Sequence, residues 1–367
     1  MRGGARDAGA GEVFAAAVSA IGSKDKGRID RLFALAETLA DARRGLISAF
    51  GWVSAQDLQG IVAELLASEE PIRREVGIAA CIMHRLDPGA TLAHAIENPD
   101  PRLRARALRA AGEAGRRDLV YVCLGGLQDA DPCARFWAAV SSLLLGNRDR
   151  SSDVLADLAD KPGPFRAPAL ELWLKAVDLP SGHRLLQSMA NDPANQRLLI
   201  RGAGVAGQMH YIPWLIRLMS DDVTARLAGE SFSTITGLDL AWLDFERNPP
   251  GDFEPGPTDD PDDPNVDLDP DDSLPWPDQA KIQAWWGGTP TGSASTRAHA
   301  ISWASRLALN IAGVCSARAT SASGAPSPSI CACCLRARRS SRSPRRPGAK
   351  PAGSRPARTA VLKFREH

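Results

Sequence analysis

The stretch PDPRLRARALRAAG, residues 99–112, decides the fold. Pro101 suits the first turn of a helix, where its missing N–H would have no partner anyway. Asp100, just before it, can cap the free amides. The same opening recurs in EEPIRREVGIAAC, ADPCARFWAAVSSLLLG, PGPFRAPALELWL and NDPANQRLLIRGAGVAG, which place Pro71, Pro132, Pro164 and Pro193 in the role of Pro101. Successive prolines are 30, 31, 32 and 29 residues apart, and Asp222 opens a sixth unit after a further 29. Asp131 and Asp192 repeat the cap. An arginine follows each start by two to four places: Arg74, Arg104, Arg135, Arg166, Arg197 and Arg226.

Each start leads into an apolar face at helical spacing, as in Phe136, Val140, Leu143 and Leu144. A second helical stretch completes the unit, at 119–127, 154–158, 183–189 and 212–219. One helix pair cannot bury its own apolar stripe, so neighbours must stack. The expectation is an all-α chain, an α-solenoid with a repeat of about thirty residues. Because the arginines share the period of the scaffold, they read as ties from one helix pair to the next, through a carboxylate or a carbonyl. Residues 12–66 carry helical periodicity with a less regular spacing.

The composition agrees. The chain has 367 residues, of which 44% are hydrophobic and only 5% aromatic, which favours helix over sheet. No apolar run approaches the ~20 residues of a membrane span, and the N-terminus lacks the pattern of a secretory signal. Cys81, Cys123 and Cys133 lie in helical patterns and read as small buried hydrophobes in a reducing, cytoplasmic setting. The near-zero net charge hides an asymmetry. Eleven acids and no base lie between Asp252 and Asp278, whereas fourteen Lys or Arg and one acid, Glu366, follow from Gly287 onward.

No pattern of catalysis, metal or cofactor binding emerges. The six histidines are scattered, and the glycines of RGAGVAG (Gly202, Gly204, Gly207) follow no strand. Cys331, Cys333 and Cys334 are too close together for a zinc knuckle, with Cys315 a distant fourth. The segment 249–275 lacks the glycine and glutamate offsets of a calcium loop, and its prolines make it an extended, solvated acidic linker. Trp276, Trp285 and Trp286 admit two readings, an exposed anchor for a partner or a cap on the open edge of the last repeat. The second is favoured.

The segment IPWLIRLMSDDVTARLAGESFSTITGLDLAWLDFE (212–246), followed after the acidic stretch by LPWPDQAKIQAWW (274–286), resembles a bacterial family of uncharacterised HEAT-repeat proteins. With the repeats, the resemblance runs from about Gly11 to Trp286. Members are often encoded near type VI secretion components, which implies a role in handling secreted proteins and brings no site residues with it. Members also have more sequence before the part that begins here near Gly11. Their C-termini continue as helix, through a Tyr-Gln-Arg-Gln-Arg stretch and an ending like Leu-Phe-Glu-Val. Residues 287–367 read instead as out-of-frame text from a GC-rich gene. Shifted by one frame, SARATSASGAP (316–326) can encode RAGYQRQRRA, and ICACCLRARRSSRS (330–343) can encode LRLLPAGEALFEV.

The expected organisation is irregular helical repeats over 1–66, HEAT-like repeats over 67–248, the acidic linker over 249–275, a Trp-rich segment over 276–286, and a basic, mostly disordered tail over 287–367. The expected function is that of a non-enzymatic scaffold for a protein partner, with no membrane insertion. Nucleic acid would bind only non-specifically, through the basic tail. The alternative is a HEAT-repeat enzyme of the DNA-glycosylase or lyase type, which would need a basic concave face.

Overall fold

A computed structural model of the chain describes residues 9–251, 253 and 269–288. The basic tail from 289 onward and most of the acidic segment, 254–268, lie outside the described residues. Among the described residues sixteen α-helices follow one another: α1 Ala10–Gly22, α2 Lys26–Thr38, α3 Ala40–Trp52, α4 Ile61–Ala67, α5 Pro71–Met83, α6 Thr91–Ile96, α7 Pro101–Glu113 and α8 Val120–Gly125. The second half contains α9 Pro132–Leu144, α10 Asp149–Asp160, α11 Arg166–Ala176, α12 Leu179–Met189, α13 Gln196–Ala206, α14 Ile212–Leu218, α15 Ala225–Thr236 and α16 Gln279–Gly288. Among the described residues the only β pairing is one antiparallel bridge, Glu246 to Pro277.

The helices stack as an α-solenoid. In the first half α1, α3, α5, α7 and α9 each pack on the next, and in the second half α11, α13 and α15 do the same. The alternate helices α2, α4, α6, α8, α12 and α14 each pack on the long helix that follows. Helix α10 is different, because it packs on both α9 and α11. The core runs along the stack through shared helices. Val76 and Ala80 of α5 belong to the N-terminal core and Ile78 to the central one. Leu199 of α13 joins the central core, and Ile200 the C-terminal one.

Local chemistry explains the helix starts. Pro71, Pro101 and Pro132 take the first helical position of α5, α7 and α9. The Asp100 carboxylate accepts from the Leu103 amide at 2.8 Å, and Asp131 from that of Ala134 at 2.8 Å. The last two prolines stand farther upstream than their repeat position implies. Pro193 opens a 3-10 turn, Pro193–Asn195, with Asp192 accepting from Ala194, and α13 starts behind it. Pro164 precedes α11 by two residues, and Phe165 between them stacks on Phe136 with ring centres 4.9 Å apart.

The helix stops are periodic too. Arg85, Gly115, Gly146 and Gly207 each stand fourteen residues after Pro71, Pro101, Pro132 and Pro193, and all have positive φ (61°, 66°, 102° and 68°). A left-handed residue there ends the helix and frees the chain to reverse. Close approach of neighbouring helices has its own signature. A Cβ on Gly112 would stand 2.8 Å from the Cα of Ser141, and one on Gly204 3.1 Å from the Cα of Ser231. In both places the serine hydroxyl crosses to the neighbouring helix, Ser141 to the Leu108 carbonyl (2.6 Å) and Ser231 to that of Ile200 (2.9 Å). Counted from the opening residue of each unit, these positions coincide: glycine at eleven, serine at nine, carbonyl at seven.

Candidate functional site

The recurrent arginines do not form one exposed row. Arg104 makes two bonds to the Asp129 carboxylate (both 2.9 Å) and reaches the carbonyls of Asn98 and Pro99. This fork against the start of the following unit holds Asp129 below the usual carboxylate range and raises the guanidinium. Arg197 reaches the Val223 carbonyl at 3.1 Å, and Arg166 donates to Ala159 of α10 at 3.1 Å. Arg74 bonds only the nearby Glu69 carbonyl, and the Nε atoms of Arg74 and Arg135 are buried without a hydrogen bond.

Arg226, in the last unit, meets the acidic segment. Its side chain pairs with Asp269 at 2.7 Å and donates to the Asp271 carbonyl at 3.1 Å. Asp271 in turn takes Arg197 at 2.5 Å and is only 3% exposed. Burial works to raise Asp269, but the Asp271 amide and Arg226 together hold it below its ordinary value. The expectation of a solvated linker over 249–275 therefore fails at its end, where residues 269–272 are clamped onto two repeat arginines. The clamp copies a repeat start. Asp269 accepts from the Asp271 amide at 3.0 Å, as Asp129 does from Asp131 at 2.9 Å and Asn98 from Asp100 at 3.0 Å.

The three tryptophans follow this clamp. Trp276 is 7% exposed and lies under Arg226 and Arg247, with Phe253 edge-on at 5.0 Å. Main-chain bonds from Arg247 to Trp276 (2.8 Å) and from Asp278 to Phe245 (2.7 Å) fasten the segment, and α16 then crosses the end of the array. Ile282 is fully buried there, Gln279 donates to the Ile216 carbonyl at 3.0 Å, and Trp285 sits against Phe232 and Phe245. Trp286 is half-buried beside Trp285.

Other features had no clear sequence signal. Arg43 pairs with Glu75 at 2.9 Å between α3 and α5, and burial raises the Glu75 carboxyl despite that partner. Arg106, one unit on, is lowered by burial. Trp52, Tyr121 and Trp242 are 74%, 82% and 86% exposed. Two histidines that look scattered in the sequence meet in space: His183 of α12 and His210 of the turn Met209–Tyr211 lie with ring centres 4.8 Å apart, beside Tyr211. Their separation of 27 residues is close to one unit, and that is the signal by which repeat stacking could have paired them.

Among the described residues no group of three or more His, Cys, Asp or Glu is placed to hold a metal, and no helix is long and apolar enough to cross a membrane. Cys81, Cys123 and Cys133 are free thiols, and burial pushes Cys123 up to about 11. A family model for HEAT repeats matches residues 89–172, the span that begins just before α6 and ends within α11. That stretch is HEAT-like. No curated protein and no solved structure matches the chain. The HEAT-like span contains the Arg104–Asp129 fork and the Gly112–Ser141 contact, so the family pattern and the packing devices coincide.

Proposed function

We propose that the chain is a non-enzymatic scaffold that binds a protein partner, in the cytoplasm and in association with secretion machinery. Trp276 and Trp285 close the end of the array, so partner binding falls to aromatic rings elsewhere. The observation behind this reading is the exposure of the three large aromatic side chains of Trp52, Tyr121 and Trp242. Exposed Trp and Tyr on rigid elements supply contact area at low entropic cost and dominate many interfaces.

The alternative of a DNA-directed HEAT-repeat enzyme finds little support in the basic residues of α7. Arg109 lies over Trp137 and pairs with Glu113 at 2.8 Å, while Arg106 is half-buried within reach of the Glu75 charge. The test is affinity capture near physiological salt with the full chain and with a Trp52→Ala, Tyr121→Ala, Trp242→Ala triple variant. A specific protein retained by the first and lost by the second, with unchanged circular dichroism, is expected. Equal capture by both removes the basis of the proposal. Tight DNA binding with a steep salt dependence would favour the alternative.

A further inference from the structure

The junction of α12 with the turn before α14 gathers three polar atoms. His183 Nδ1 lies 2.7 Å from the Tyr211 hydroxyl and 3.3 Å from His210 Nε2. A ring nitrogen has one lone pair or one proton, so Nδ1 cannot serve both neighbours well in either tautomer. The arrangement is braced on both sides. His183 is carried on a helix whose first turn is capped by Asp178, and Gln208 ties the turn to the Leu179 carbonyl at 3.2 Å. His210 is exposed and its two partners are half-buried, so a small ion can reach the nitrogens.

The nitrogen–nitrogen distance matches a zinc chelate. Two nitrogens bonded to one tetrahedral zinc at about 2.0–2.1 Å stand about 3.3–3.4 Å apart. That is the separation of His183 Nδ1 and His210 Nε2. We propose that His183, His210 and Tyr211 form a binding site for a divalent transition ion, zinc(II) or copper(II), with water completing the shell. Imidazole nitrogens suit both ions. For copper the phenol gives up its proton to water and binds as phenolate. With zinc the two nitrogens supply the bonds and the phenol stays at the edge. Such a site fastens α12 to the turn that leads into α14, and so stiffens the joint between the units that open at Pro164 and Pro193.

The test titrates the full chain with zinc(II) and with copper(II), beside a His183→Ala, His210→Ala double variant that keeps every other donor in the molecule, the clustered tail cysteines included. The wild-type chain should bind one equivalent more than the double variant, and each single histidine variant should bind at least tenfold more weakly. Tyr211→Phe should abolish the visible copper–phenolate absorption while the zinc equivalent is retained. A measurement on the unaltered chain covers the case in which the variants misfold. Zinc should shift or broaden the imidazole resonances of His183 and His210 together. Equal stoichiometry in wild type and double variant, or zinc moving other imidazoles and leaving these two in place, overturns the proposal.

Discussion

Replacing Gly112 by alanine tests the helix-contact rule most directly. A Cβ at this position would stand 2.8 Å from the Ser141 Cα and 2.5 Å from its hydroxyl, where ordinary contact begins near 3.4 Å. The Cα belongs to the backbone of α9 and cannot rotate away, so α7 and α9 must part by about 0.6 Å, the difference between 3.4 and 2.8. Overpacking of this kind costs about 1–3 kcal/mol. Parting the helices also stretches the buried Ser141–Leu108 bond, for a further ~0.5–1.5 kcal/mol. Alanine returns about 1 kcal/mol through its helix propensity, which leaves a net loss of about 1–3 kcal/mol. Gly204→Ala should cost less, since its nearest backbone atom is 3.1 Å away, and Gly45→Ala more, with the Ala10 carbonyl at 2.3 Å. Gly125 is the control. It has helical φ and ψ and nothing within 4 Å, so Gly125→Ala should be neutral or slightly stabilising. Denaturant midpoints give the ranking. Because stacked repeats need not unfold in one step, amide exchange in α7 and α9 should be followed in parallel. If Gly112→Ala is as stable as the wild type, or Gly125→Ala is damaged equally, close backbone approach is not what the glycine provides.

Arg104→Met should cost about 1–3 kcal/mol at pH 7 by leaving the half-buried Asp129 without its fork. Asp129 is depressed in the folded state, so its contribution is present above the ordinary carboxylate value and lost as pH falls. The gap between wild type and variant should therefore narrow below about pH 4, as read from urea midpoints at pH 7 and pH 3; a gap that widens in acid contradicts the assignment. Trp276→Ala removes a buried ring worth about 3–5 kcal/mol locally. It should speed amide exchange in α15 and α16 and leave α1–α5 unchanged; uniform acceleration would show that the end segment supports the whole array. Cutting the chain after Trp286 should leave the melting temperature almost unchanged, and restoring the shifted frame should raise it. A large loss on truncation would show that the written tail packs, and an uninterrupted frame at the codons for Trp286 and Gly287 would end the out-of-frame reading.

The repeat frame could be read from the sequence because its starting signals are local. Pro71, Pro101 and Pro132 need only their own fixed φ and the carboxylate or turn before them. Signals that depend on a distant partner were not readable in the same way. The acids at 269 and 271 look solvated in a run without bases, yet their partners Arg226 and Arg197 lie 45 and 74 residues away in sequence at the Asp271 contacts. The left-handed stop fourteen residues after Pro101, Pro132 and Pro193 was present as Gly115, Gly146 and Gly207, but Arg85 fills the same place after Pro71 and hides the period. His183 and His210 illustrate the same limit for the candidate site, because only stacking brings them together.

The fourth unit shows how the array departs from its own rule. The Gly–Ser contact occurs once on each side of α10, between α7 and α9 and between α13 and α15. At the corresponding places around α10 the chain has Leu143, eleven residues after Pro132, and Trp173, nine after Pro164. Side chains of that size exclude, between α9 and α11, the close backbone approach that glycine and serine allow at the other two joints. Helix α10 fills the space instead and buries Leu155, Leu158 and Ala159 against both. The Phe136–Phe165 stack spans the same joint, beside Pro164, which stands ahead of the first helical turn. The displaced proline, the inserted helix and the missing glycine thus meet at one joint, where interlocking side chains stand in place of the backbone contact found between α7 and α9 and between α13 and α15.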